Sequence, residues 1–203
     1  MMNMAIVQRP SRVDFRKEQK ILQPARNEIM TIAELLDLYE YNRWAHERIL
    51  QSAQEVGANS YNRETGGSFP SIRATTEHML VVEVVWLSRW EGHSLGEPPE
   101  YSGCLEASSL RSIWHSFWRR QFAFVNDLAQ EDLAELVAIR TRNGIEAVQP
   151  LRDTMVHLVN HSTYHRGQAA SQIRLVGGKP LGTDYFTYCL ARDAGEPQTE
   201  AAT

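Results

Sequence analysis

Apolar side chains recur at close to a 3.6-residue period in four long stretches of this 203-residue chain, with runs rich in glycine, proline and asparagine between them. The first stretch opens at Thr31, which forms a capping-box signature with Glu34. Ile32, Leu35, Leu36, Leu38, Tyr39, Asn42, Ile49 and Leu50 follow at helical spacing, and Gly57 and Asn59 are expected to stop the helix near Val56. NRETGGSFPS then reads as a loop, and a second helix is expected from about Ser71 to about Glu91. A third covers about 106–128, with Leu110, Ile113, Trp114, Phe117, Phe124 and Leu128 as its buried stripe.

In ELVAIRTRNGIEAVQ, Asn143-Gly144 stands between two short β-prone runs, a type I′ hairpin signal. A fourth helix should start at Pro150 or Leu151, run to Val176 and be capped by Gly177-Gly178. LGTDYFTYCL beyond it reads as a short docking segment. The pattern predicts an all-α fold: a four-helix bundle over residues 30–190 with a small β-hairpin between helices 3 and 4. Residues 1–29 are expected to be a flexible N-terminal extension and residues 191–203 a disordered tail.

Charge and composition narrow the function. A net charge of −4 and a pI near 6.0 give no basic excess for nucleic acid. The longest apolar run is too short to span a bilayer, so no membrane partner is expected. Cys104 and Cys189 are far apart and in no CxxC pattern, which excludes a cysteine zinc site and favours a reducing, cytoplasmic setting.

The chemistry concentrates in HLVNHSTYHRGQ, residues 157–168, where His157, His161 and His165 each stand four residues apart. On a helix the i and i+4 positions share a face, so either consecutive pair can converge on one ion. His157 and His165 lie about 12 Å apart along the axis at 1.5 Å per residue, too far for all three to join. A third ligand must then come from another helix. His78 lies four residues before Val82 and seven before Val85, which places it toward the bundle interior; His46, beside the first helix's apolar face, is the reserve. His93 in a loop and His115 between Arg111 and Arg119 read as solvated. The i, i+4 tryptophan pairs 86/90 and 114/118 read as core or dimer interface.

HLVNHSTYHRGQ resembles the most recognisable motif of the DinB/YfiT-like superfamily of metal-binding four-helix bundles. YNRWAHERIL at 41–50 is similar to its first-helix motif, and EHMLVVEVVWLSRW at 77–90 to the segment bearing its first metal histidine. The resemblance implies His78, His161 and His165 as a metal triad, with His157 packing or hydrogen-bonding beside it. Where the family often has asparagine this chain has His46, which becomes a candidate supporting group or occasional fourth ligand. Asn42, Asn160 and Glu77 are further candidates to support the ligands. The resemblance implies one divalent ion per chain, zinc or nickel ahead of iron or manganese, and a homodimer. It also implies a small-molecule substrate, because characterised relatives include bacillithiol S-transferases and a mycothiol-dependent maleylpyruvate isomerase. Activation of a low-molecular-weight thiol toward an electrophile is the sharpest activity it implies. Hydrolysis by metal-bound water and a non-catalytic metal-binding bundle are the alternatives.

Overall fold

The computed structural model describes residues 30–93, 98–140, 144 and 146–195. Among them the chain forms α1 (Ile32–Glu55), α2 (Gly57–Asn62), α3 (Ile72–Trp90) and α4 (Ala107–Asn126). A 3-10 turn (Gln130–Ala134) leads into β1 (Leu136–Arg140) and β2 (Glu146–Pro150), followed by α5 (Leu151–Leu175) and α6 (Tyr185–Asp193). The long helices α1, α3, α4 and α5 make the expected bundle. The expected extension 1–29 and tail residues 196–203 lie outside the described residues, whereas 191–193 belong to α6.

Local chemistry sets the helix ends. Thr31 Oγ1 accepts from the Glu34 amide at 3.2 Å while the Thr31 amide donates to Glu34 Oε2 at 2.7 Å, the reciprocal capping box read from sequence. Ser71 Oγ accepts from the Ala74 amide at 3.2 Å and starts α3. At the end of α5 the Gly178 amide donates to Ile173 O at 2.8 Å and the Gly177 amide to Arg174 O at 2.9 Å, a Schellman closure with Gly177 at φ +91°. A side chain at 178 would not fit, since its Cβ would lie 2.3 Å from Val56 Cγ1.

Two segments differ from the sequence reading. Gly57 does end α1, at φ +74°, but the chain then re-enters a helix for one short element, α2. Tyr61 on α2 is fully buried and its hydroxyl meets Thr76 Oγ1 at 3.1 Å, so tertiary packing holds a helix where local signals read loop. The β1–β2 ladder is antiparallel, from Leu136↔Pro150 to Arg140↔Glu146. Gly144 has φ +78°, while Asn143, and with it the expected turn type, lies outside the described residues. The docking segment is α6: Tyr188 is buried against Tyr41 and Trp44, and its hydroxyl donates to Asp37 Oδ1 at 2.9 Å.

The seam that positions the chemistry joins α3 to α5, which run antiparallel. Thr75 meets Gln172, His78 meets His165, Ser162 meets Glu83, Trp86 meets His157 and Trp90 meets Thr154, in rising order along one helix and falling order along the other. Trp114 and Trp118 of α4 pack against each other and, like Trp86, are buried in the core.

Candidate metal centre

His161 and His165 sit one turn apart on α5, with ring centroids 4.3 Å apart and Nε2 atoms 3.1 Å apart. His78 faces them from α3, its ring centroid 4.6 Å from that of His165 and 5.6 Å from that of His161. One nitrogen from each ring falls within 4.8 Å of the other two. His165 is buried; His78 and His161 are half-buried, so the cluster opens on one side to solvent.

Neighbours fix the rings. His165 Nδ1 lies 2.7 Å from Gln168 Oε1, and an amide oxygen only accepts, so the proton sits on Nδ1 and the Nε2 lone pair points at the cluster. Gln168 also donates to Ser68 Oγ at 3.4 Å, and Gln172 donates to Phe69 O at 2.9 Å. These bonds bind the loop before α3 to α5, with Phe69 lying 4.4 Å from His78 at a shallow 30° angle. Exposed Tyr164 approaches His165 edge-on at 5.1 Å. Burial first, then the neighbouring charges of His165, His78 and His157, push His161 down to about 4, so its imidazole is neutral at neutral pH.

The donor set suits a divalent ion. Metal–nitrogen bonds of about 2.0–2.1 Å at tetrahedral angles place neighbouring nitrogens roughly 3.3 Å apart, close to the 3.1 Å between His161 and His165. Neutral imidazoles are the form that ligates, and among the described residues no cysteine or carboxylate belongs to the cluster.

The DinB family model matches residues 29–199. The chain belongs to the DinB family. It is 28% identical to Protein DinB of Bacillus subtilis (strain 168) over 156 residues, covering 74% of this chain and 91% of that one. Its fold is similar to the crystal structure of a DinB-like protein from Bacillus cereus ATCC 10987, with a TM-score of 0.57 at 20% identity over 75% of this chain and 97% of the other.

The remaining candidates of this DinB-family chain fall elsewhere. His157 is exposed, 5.4 Å from the Trp86 ring and 5.9 Å from that of His161, and is not one of the converging three. Asn160 is on the exposed face of α5. Glu77 accepts from Arg73 Nη1 at 2.9 Å, with burial pushing its carboxyl up. His93 is exposed beside Glu91, while His115, read as solvated, instead lies 3.2 Å from the buried carboxylate of Glu47.

His46 and Asn42 belong to a second polar cluster. His46 is fully buried, its ring tilted against that of Trp114 at 4.5 Å, with Nδ1 2.7 Å from Asn42 O. Burial, then the charge of Arg166, hold it well below the usual histidine range. Arg166 donates to Asn42 Oδ1 at 2.5 Å, Thr163 Oγ1 at 2.6 Å and Tyr41 Oη at 3.3 Å. A carboxylate is one step away: Glu83 accepts from Asn42 Nδ2 at 2.8 Å. Sequence reasoning missed Phe69, Glu83 and Ser162. Only Gln168, three residues after a ligand candidate on one helix, carried a spacing signal.

Proposed function

We propose that this DinB-family protein holds one divalent metal ion on His78, His161 and His165 and uses it to activate a low-molecular-weight thiol toward an electrophilic substrate. The reading rests on the convergence of three imidazoles from two helices onto a half-open cluster, with that of His161 held neutral by burial and its neighbours. Bound there, such an ion supplies Lewis acidity, making a thiol presented to it acidic enough to ionise near neutral pH. The protein's share is positional. Gln168 holds the His165 proton on Nδ1 and so keeps Nε2 available. Phe69 shields the cluster's flank from water, and Tyr164 offers an aromatic edge beside His165. A homodimer and a small electrophile as co-substrate belong to the same proposal, with zinc or nickel as the first metals to try.

Elemental analysis of untagged wild type beside His78→Ala and His161→Ala tests the site. About one ion per chain in wild type, lost from both folded variants, is expected for a three-imidazole site. No uptake by wild type after reconstitution would overturn the proposal. Turnover of electrophiles that depends on added thiol is expected of the loaded protein; ester turnover without thiol would point to hydrolysis, and no turnover on either panel to a non-catalytic bundle.

A further inference from the structure

The second cluster stands in a fixed relation to the triad. Ser162 and Arg166 each follow a triad histidine by one residue, so on α5 the pair 162/166 is the pair 161/165 turned by about 100° about the helix axis. The histidine pair faces His78 on α3; the other pair faces Glu83 on the same helix, directly through Ser162 and through Asn42 for Arg166. Glu83 is fully buried and takes a bond from each other helix of the bundle: Asn42 Nδ2 from α1 at 2.8 Å, Gln121 Nε2 from α4 at 2.8 Å and Ser162 Oγ from α5 at 3.0 Å. Turning α5 by one residue would carry Ser162 and Arg166 to where His161 and His165 stand and the histidines away from His78, so whatever fixes one pair's facing fixes the other's.

We propose that Glu83 is a positioning residue for the triad: the carboxylate on α3 sets the rotation of α5 and so aims His161 and His165 at His78. The inference rests on the reading of those three histidines as a metal centre. Its chemistry is specific to a carboxylate. Both oxygens only accept, and each meets an amide or hydroxyl donor. A glutamine would turn one of those positions into a donor facing a donor, and would leave Arg166, 1% exposed, without the one carboxylate its hydrogen-bond chain reaches.

Cobalt(II) serves as the probe because its visible bands report coordination geometry. Wild type, Glu83→Gln, Ser162→Ala and a core control, Met155→Ala on α5, are titrated with the ion, and the metal-free melting temperature of each is recorded. Glu83→Gln and Ser162→Ala are expected to bind about tenfold or more weakly, with altered bands, the usual scale for losing an outer support of a ligand. Met155→Ala is expected to keep the wild-type bands at an equal or larger loss of melting temperature. Wild-type bands and affinity in Glu83→Gln, or affinity falling simply in step with melting temperature across all variants, would overturn the proposal. If Glu83→Gln does not fold, Ser162→Ala, which removes a single hydroxyl, decides alone. If wild type takes up no cobalt, the metal reading fails by itself. Ring-to-ring nuclear Overhauser contacts between His78 and His165 in the metal-free protein then decide on Glu83: lost in the variant they support its role, retained they refute it.

Discussion

Two polar clusters lie side by side on the α3–α5 seam, and they differ in how their hydrogen-bonding capacity is used. Around Glu83 both carboxylate oxygens are engaged, and the side chains come from all four long helices. In the triad, two Nε2 atoms face each other at 3.1 Å and His161 Nδ1, although buried, has no hydrogen-bond partner among the described residues. A buried cluster whose oxygens all meet protein donors rigidifies a core. One whose nitrogens converge on a shared point, beside an opening to solvent, is arranged for something the chain does not itself contain. Buried nitrogens without a hydrogen-bond partner among the described residues occur in both clusters, His46 Nε2 and Arg166 Nε in the one and His161 Nδ1 in the other, so what sets the triad apart is the convergence of its ring nitrogens and its partial exposure.

The comparison is most sharply tested by asking which substitutions damage the metal-free protein. The largest loss is expected from Arg166→Ala, which strands Glu83 and Asn42 in the core. Removing one member of such a buried charged set typically lowers stability by about 3–5 kcal/mol, readable by urea unfolding in chelator. A loss under ~1 kcal/mol would show that the cluster is not the framework described. Acid is expected to act next, and through the triad. His161 takes its proton near 6.5 in the unfolded chain but only near 4 when folded. Between those values the unfolded chain binds more protons, so His161's share of stability is intact above 6.5 and is lost as pH falls toward 4. The melting temperature of metal-free protein should therefore drop across that window, and less so in His161→Ala; equal drops in both would remove His161 as the cause.

A smaller effect is expected from Tyr41→Phe. Its hydroxyl accepts from Arg166 at 3.3 Å and donates to Thr183 O at 3.1 Å, at the edge of the Glu83 cluster, so denaturant unfolding should show a loss of about 1 kcal/mol. Smallest of all in the metal-free state is His161→Ala, expected within about 0.5 kcal/mol because the ring is half-buried and its Nδ1 has no hydrogen-bond partner among the described residues. That same substitution is expected to abolish metal uptake by elemental analysis. A variant that loses stability and metal together would erase the distinction between the clusters.

The bundle was legible because each long helix carries its own signals: Thr31 and Glu34 open α1, Ser71 opens α3, and Gly177-Gly178 close α5. The element that was missed, α2, depends on Tyr61 inserting into a core that its neighbours along the chain do not reveal. For the candidate site, spacing identified two possible histidine pairs, and the family resemblance chose between them. Nothing local distinguishes His46 from His78, since both lie mid-helix near apolar faces. The separation comes from what each helix packs against: Trp114 and Asn42 O for His46, Phe69 and His165 for His78. Arg166 reaches a carboxylate only through the Asn42 amide, and a relay through a third helix leaves no spacing in the sequence.

The antiparallel seam has a consequence for synthesis. His78 and His161 stand 83 residues apart along the chain, on opposite sides of α4 and the hairpin. At about 5–20 residues per second, the ribosome adds the second histidine roughly 4–17 s after the first. Through that interval α3 has no α5 to face, and Glu83 lacks both the Ser162 hydroxyl and the Arg166 charge. Any ion held by the triad can thus be captured only once α5 has been made, not while α3 stands alone.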